Sequence, residues 1–433
     1  MEKIAPVRGT RDFYPEQMAV RNWIMDGWRA VSRRNGFEEY DAPIFEYLQL
    51  YTQKSGEEIV SQLFAMQDRG GRDLAIRPEI TPSLARMINQ QIHSLPRPVK
   101  WFSVPRLCRA ERPQKGRLRE FFQWNIDIIG DDSPLADAES IFTAIDYLRS
   151  VGLTSRDVVA KISSRSMLAA WLQELGATPQ ELDTIYALLD KRAKLPEETF
   201  QALAVEKIPE AGLRNKILEL FQIDSFEKLK ASAPPAAQEE VARLETLFHL
   251  LEVMGVRDYC TFDIHIVRGL AYYTGVVFEV FDRGAELRAL CGGGRYDNLL
   301  KVLGGPKVSA TGFGMGDVVL EILLREKNLL QTAAVPLDFY VIDAAAELGE
   351  QTVQTACQLR GRGFSAAFSY KRLPLGKQLK QASSQKARFA VILGQETIDS
   401  RQVTIKDMAS GLQKTIALPE FLAGPDKVFA AGT

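Results

Sequence analysis

Arg109-Ala-Glu-Arg-Pro-Gln-Lys-Gly-Arg-Leu-Arg119 runs directly into Glu120-Phe-Phe-Gln-Trp-Asn-Ile-Asp127. The first part crowds guanidiniums and a lysine into one loop, where like charges repel unless an anion arrives. Arginine's planar fork matches phosphate oxygens. A solvated basic loop would have much the same composition, but here Pro113 and Gly116 shape the turn. The second part reads as a strand. Side chains alternate between faces, so Gln123, Asn125 and Asp127 share one. A polar trio on an otherwise apolar strand suits a pocket of donors and acceptors, although a solvent-facing sheet would look the same in isolation. Upstream, Val99 to Val104 is a second aromatic-rich strand. The two predict an antiparallel pair joined by a long basic connection from Arg106 to Arg119, aimed by the strands that flank it.

Moving outward, Val20, Trp23, Ile24, Trp28 and Val31 recur at helical spacing after Pro15, and Gly36 suits the stop. Ile44-Phe45 is strand-like and precedes a charged stretch, Lys54 to Glu58. A helix is expected from Leu135 to Val151. From Ser164 to Leu251 the texture turns to Leu, Ala, Glu and Lys broken by prolines, which predicts a helical insertion. Strands are expected at Tyr259 to Val267 and Gly275 to Phe281, then a glycine-rich turn at Cys291 to Arg295 and a helix after Gly316. Beyond Gln331 to Pro336, strands and helices alternate: Leu337–Ile342, Glu350–Arg360, Ser365–Tyr370, Leu375–Lys386, Phe389–Leu393 and Val403–Asp407. That alternation predicts a small α/β module with parallel strands.

The 433 residues exceed one ordinary core, so two or three domains are expected. At 46% hydrophobic and 25% charged the chain is globular. A net charge of -1 means that a nucleic acid would be held by local basic patches. Four cysteines without a CxxC pair and three dispersed histidines argue against zinc and a disulfide framework, and for a reducing compartment. No secretory signal and no membrane-length apolar run is visible, which predicts a soluble cytoplasmic protein.

Three further segments carry chemistry. In Arg77-Pro78-Glu79-Ile80-Thr81, Glu79 suits an ammonium group or, equally, a helix start, and Thr81 suits a helix cap ahead of Pro82. Val267-Arg268-Gly269-Leu270-Ala271-Tyr272-Tyr273 sets an arginine beside a glycine, within reach of an anion, next to paired hydroxyls. Cys291-Gly292-Gly293-Gly294-Arg295-Tyr296-Asp297 omits side chains where a backbone approaches a ligand, or where a hairpin simply turns. The sequence contains no P-loop, and the glycine run lacks the context of a dinucleotide site.

Together these segments resemble the signature set of class II aminoacyl-tRNA synthetases, specifically the histidyl-tRNA synthetase family, over nearly the whole chain from Arg8-Gly-Thr-Arg-Asp-Phe13 onward. Ala42-Pro-Ile-Phe-Glu46 resembles motif 1, Arg109 to Asp127 motif 2, and Gly312-Phe-Gly-Met-Gly-Asp317 motif 3. Arg268 to Tyr273 and Cys291 to Asp297 resemble the two histidine-specific blocks. Leu375-Gly-Lys-Gln-Leu379 and Val403-Thr-Ile-Lys-Asp407 resemble the anticodon-binding domain. The resemblance implies an α+β catalytic domain built on an antiparallel sheet (residues 1–163 and 252–328). It also implies a helical insertion (164–251) and a C-terminal α/β anticodon-binding domain (334–433).

It further implies an ATP-dependent ligase that forms histidyl-adenylate and passes histidine to the 3′ end of its tRNA. Arg109 and Arg268 would be catalytic and, with Arg117, would hold ATP. Glu79, Thr81, Gln123, Asp127, Tyr272 and Tyr273 would hold histidine; Arg112 and Gln114 would meet tRNA. Lys371, Arg372, Lys377 and Lys380 are further tRNA candidates, or ordinary solvated surface. Mg2+ would accompany ATP, no protein-held metal is implied, and a homodimer is expected. Two positions depart from the pattern. Ala271 stands where aspartate is common, and Val319 where the family usually places an arginine for ATP. Arg325 lies about 240° further round the helix and is no simple substitute. The rival readings are a catalytically weak, histidine- or tRNA-sensing paralogue and a synthetase for another amino acid.

Overall fold

The computed structural model describes residues 4–52, 60–192, 195–267, 272–284, 287–331 and 337–428. The chain divides into two compact units, Met1–Gln331 and Thr332–Thr433. In the first unit the strands are β1 (Glu38–Glu39), β2 (Phe45–Tyr47), β3 (Phe64–Gln67), β4 (Asp73–Ile76), β5 (Val99–Ser103) and β6 (Arg106–Cys108). They continue as β7 (Glu120–Ile129), β8 (Val158–Ser164), β9 (Cys260–Phe262), β10 (Val276–Asp282), β11 (Cys291–Arg295) and β12 (Ala310–Gly316).

One large sheet runs β1-β5-β7-β12-β11-β10-β8-β9, with β6 added to one end of β7. All its pairings are antiparallel except β1 with β5 and β8 with β9. The expected pair of β5 and β7 is present, Ser103 opposite Asn125 and Trp101 opposite Asp127. The basic connection is more ordered than expected, because Arg106–Cys108 folds back as β6 on Glu120–Phe122.

Alternation along β7 fixes which way the sheet faces. Phe122, Trp124, Ile126 and Ile128 enter a core built with helix Pro15–Arg34 and helix Pro134–Ser150. Trp124 stacks on Trp28, centroids 6.2 Å apart, and its indole N–H donates to Ser32 Oγ at 2.8 Å. A buried ring of this size contributes about 2–3 kcal/mol by area alone. The first helix starts on Pro15, whose missing N–H costs nothing there. It stops before Gly36 at φ +77°, conformations those residue types favour.

Two strand expectations are corrected. Cys291–Arg295 is not a turn but β11, at the centre of the sheet between β10 and β12. Its glycines do what a turn glycine never does: they let neighbouring strands close up. A Cβ on Gly293 would lie 2.2 Å from Gly312 O, and one on Gly294, at φ +157°, 2.5 Å from Val276 O. The strand expected over Tyr259 to Val267 ends at Phe262. The Asp263 carboxylate accepts the His265 N–H at 3.0 Å, and its carbonyl accepts the Ile266 N–H at 3.1 Å. That local turn leaves no ladder to continue.

The segment from Arg165–Glu174 through Gln238–Val253 is helical, and its buried Leu168, Leu244 and Phe248 join the same core as β7. A separate three-stranded sheet, β2-β4-β3, carries the Ala42-to-Glu46 segment. The expected charged stretch Lys54 to Glu58 lies outside the described residues.

The second unit holds β13 (Phe339–Asp343), β14 (Ala366–Phe368), β15 (Phe389–Leu393), β16 (Gln402–Asp407) and β17 (Gln413–Ala417), in the order β14-β13-β15-β16-β17. The first three are parallel as expected, but β16 and β17 are antiparallel. The link from Leu393 to Gln402 is shorter than the dozen or so residues a parallel crossover needs.

Candidate active site

Two cavities lie side by side over the polar face of the large sheet and share Arg109, Gln123, Gly292 and Gly314. The smaller holds about 50 Å³ and is also lined by Glu79, Thr81, Asn125, Asp127, Tyr272, Tyr273 and Tyr296. The larger is a cleft of about 720 Å³. Along β7 the trio Gln123, Asn125 and Asp127 does share the pocket face, and Asn125 and Asp127 are buried rather than solvent-facing.

Glycines form the floor. Gly292 sits opposite Gly314 and Gly294 opposite Gly312 across β11 and β12, while Gly312 and Gly314 sit opposite Asp127 and Asn125 on β7. Without side chains there, a ligand rests directly on backbone.

Asp127 closes the small cavity. The Tyr296 phenol donates to its Oδ1, and its Oδ2 is buried with no hydrogen-bond partner among the described residues. Burial pushes the Asp127 carboxyl up to about 7, partly offset by that phenol. The same burial, with Asp127 beside it, pushes Tyr296 above its usual range, and Tyr40 rises for the same two reasons. At the other side of the cavity Glu79 is buried, and the Tyr272 hydroxyl donates to its Oε2 at 3.1 Å. Tyr272 therefore meets Glu79 rather than Asp127, and the phenol on Asp127 is that of Tyr296. Tyr272 packs against Tyr273 and Tyr296, centroids 5.0 and 5.8 Å away, so the three rings make an aromatic wall.

Thr81 is not a cap. It opens helix Thr81–Gln91, Ile80 holds the cap position, and no side chain caps the end. Pro82 in the first turn makes a missing backbone donor harmless, and Thr81 faces the small cavity.

Arg109 stands where the cavities meet. Its Nε donates to Pro78 O at 3.0 Å and its guanidinium lies 5.2 Å from the Phe121 ring centroid. These contacts fix the fork's orientation before any anion binds. Arg117 lines the large cleft and pairs with Glu111. The loop between them is a tight hairpin: Gln114 and Arg117 exchange backbone hydrogen bonds of 3.0 and 2.9 Å, and Gly116 takes φ +77°. Arg112 and Gln114 are exposed on that loop, outside both cavities. Arg268, Gly269, Leu270 and Ala271 lie outside the described residues.

Val319 is buried in the wall of the large cleft, and a Cβ on Gly116 would meet its Cγ2 at 3.2 Å. Arg325 is exposed and bound to Glu321 at 2.7 Å, away from the cleft, in keeping with the helical angle. Asp317 is an anchor. It accepts the Phe122 N–H at 3.0 Å and Arg11 at 2.6 Å, which straps the Arg8-to-Phe13 segment to this wall.

The sequence left several site residues unassigned. Tyr296 gave no local sign of meeting Asp127, while Gln62 and Glu279 line the cleft without belonging to any readable pattern. Arg295, by contrast, is structural: its guanidinium is buried against Asp137 at 2.9 Å and the carbonyls of Asp131 and Ser133 at 3.0 and 2.9 Å. Among the described residues, no group of three or more side chains is arranged to hold a metal ion.

An antiparallel body followed in the chain by a separate α/β unit is the build of an aminoacyl-tRNA synthetase. A family model described as "Histidyl-tRNA synthetase" matches residues 9–317, and one described as "Anticodon binding domain" matches residues 335–424. The chain belongs to the histidyl-tRNA synthetase family. It is 39% identical to the histidine–tRNA ligase of Opitutus terrae over 93% of each chain. It is equally identical to the chloroplastic/mitochondrial histidine–tRNA ligase of Arabidopsis thaliana, over 96% of this chain and 86% of that one. The crystal structure of histidyl-tRNA synthetase from Nostoc sp. PCC 7120 superimposes with a TM-score of 0.81 at 25% identity, covering 98% of this chain and 100% of that one. The expected membership of this family is thereby borne out. An ATP phosphoribosyltransferase regulatory subunit/histidyl-tRNA synthetase from Bacillus halodurans, at 23% identity and a TM-score of 0.74, shares the fold.

Proposed function

We propose that this protein is a histidine–tRNA ligase, which activates histidine with ATP and transfers it to tRNA. The observation that carries the reading is the buried Asp127 oxygen without a partner among the described residues, in a small cavity that adjoins an arginine-lined cleft. An imidazole N–H suits that oxygen. Glu79, at the other side, suits the α-ammonium group, with Thr81, Gln123, Tyr272 and Tyr273 around it. A site that offers a buried carboxyl to the side-chain end of its ligand leaves that acceptor unpaired with an apolar amino acid, and so rejects it.

The ligand's carboxylate then lies at the junction with the cleft, under Arg109. Its oxygen bonds to the α-phosphorus of ATP as the bond from that phosphorus to the bridging oxygen breaks, releasing pyrophosphate. An ionised carboxylate needs no general base, so the protein's part is to position and to neutralise charge. Arg109, with its orientation fixed in advance, does both; Arg117 serves the phosphates, and Arg268 is assigned to the opposite side. In the second step a ribose hydroxyl of tRNA attacks the activated carbonyl and AMP leaves. Mg2+ comes with the nucleotide and supplies charge neutralisation when bound. Glu279 puts a carboxylate in the cleft, which suits an ion held mainly through phosphates.

Arg112 and Gln114 are assigned to the tRNA acceptor end because they are exposed beside Arg109. Lys371, Arg372, Lys377 and Lys380, all exposed, are assigned to tRNA on the second unit. We assign a homodimer through the β2-β4-β3 sheet. Four scattered cysteines without a disulfide support a reducing compartment, in our reading the cytoplasm. No helix of the described residues is long and apolar enough to cross a membrane.

The test is ATP–pyrophosphate exchange by purified protein across a panel of amino acids. Exchange that depends on histidine alone is expected; none with histidine sinks the reading. In the same preparation Gln114→Ala should slow charging of tRNA and leave exchange unchanged. The reverse pattern removes that loop from tRNA.

A further inference from the structure

One wall of the large cleft carries no cation, and one arginine that lines the cleft is engaged by no described residue. Val318 and Val319 make the wall at the start of helix Asp317–Glu326, and both are aliphatic. Arg288 lines the same cleft, exposed and with no hydrogen bond or ion pair to any described residue. Arg109, Arg117 and Arg295 have contacts already. Arg109 is held by Pro78 and Phe121, Arg117 pairs with Glu111, and Arg295 is buried on Asp137.

The backbone that carries Arg288 is fixed on both sides. The Leu287 N–H donates to Asp282 Oδ1 at 3.1 Å, and the Leu290 N–H to Val280 O at 2.8 Å. That second bond holds Leu290 in register beyond β11, so Arg288 stands four residues outward from Gly292, the glycine that both cavities share. An exposed guanidinium in an arginine-lined cleft, with no ion pair to any described carboxylate, is suited to phosphate oxygens that arrive from solvent.

The geometry points to Arg288 as the residue that grips the outer phosphates of ATP, in place of a cation at Val319. This assignment rests on the reading of the large cleft as the nucleotide site. It adds a phosphate-binding residue on the β10–β11 side, where none of the motifs read in the sequence had one.

The experiment compares wild type with Arg288→Ala, Arg288→Gln and Arg288→Lys in the full chain. It reads ATP and AMP affinity by calorimetric titration, and the KM for ATP and for histidine by exchange. Because the side chain is exposed, all three variants should melt as wild type does. Loss of a charge-assisted contact should weaken ATP roughly ten-fold or more in the Ala and Gln variants. AMP affinity and the histidine KM should stay within about two-fold, and Lys, a point charge without the fork, should fall between. ATP binding within about two-fold of wild type in Arg288→Ala overturns the inference, as does an equal weakening of AMP, which would place Arg288 on the nucleoside. The titrations need no amino acid, so a protein that binds ATP through Arg288 but shows no histidine-dependent exchange would sink the ligase reading and leave this inference standing.

Discussion

Asp127 concentrates the chemistry of the small cavity in one side chain. A buried carboxyl pushed from 3.8 up to about 7 is protonated in the folded chain, where the unfolded chain has already released its proton. The folded state therefore binds more protons between those two values, and stability falls as pH rises from about 4 to about 7, then levels off. Asp127→Asn keeps an acceptor for Tyr296 and never ionises. Melting followed from pH 4 to pH 8 should show the variant and wild type close together in acid, and the variant higher by a few degrees at pH 8. A constant offset across that range would mean that Asp127 titrates normally. In exchange, the same variant should raise the KM for histidine roughly a hundredfold and the KM for ATP much less, because a charged partner is lost only from the amino-acid cavity. Equal effects on both substrates would take Asp127 out of histidine recognition.

Strand β11 illustrates what the elements add to the residues. Its Gly293 and the Gly314 of neighbouring β12 meet different surroundings, and the difference predicts two phenotypes. A methyl group at Gly293 meets backbone of β12, which has no room to yield, so Gly293→Ala should cost about 1–3 kcal/mol or more in denaturant titration. At Gly314 the methyl would meet the amide end of Gln123 at 2.8 Å, a tip that can swing. Gly314→Ala should leave the melting temperature nearly unchanged while raising the KM for histidine about ten-fold, since Gln123 lines both cavities. Similar melting temperatures for the two variants would contradict that difference. The same strand marks the limit of what could be read in advance. Period-two alternation made the polar face of β7 legible, and helical spacing did the same for Pro15–Arg34, because both signals are local. Glycine-rich Cys291–Arg295 looked like a turn, because its reason for having no side chains lies on β10 and β12. The Tyr296–Asp127 contact spans 169 residues and leaves no trace at either end. Thr81 looked like a cap because only the pocket distinguishes a hydroxyl aimed at a ligand from one aimed at its own helix.

For the whole molecule, the small sheet β2-β4-β3 bears on assembly. Phe45, Tyr47 and Met66 are 54%, 57% and 43% exposed there, an apolar patch that a lone soluble domain rarely displays. Sedimentation should find wild type at twice the 48.4 kDa chain mass and Phe45→Glu shifted toward the single chain. A wild-type protein that stays a single chain at micromolar concentration would remove the dimer. Chain order has a further effect. Strand β7 finds one neighbour, β5, nearby in sequence, but its other edge pairs with Ala310–Gly316. On the ribosome that edge, with Trp124 and Ile126 behind it, waits through the entire helical segment before its mate emerges. Nascent chains paused within that segment present an open strand edge to solvent, the kind of surface that chaperones capture and that aggregates when they do not.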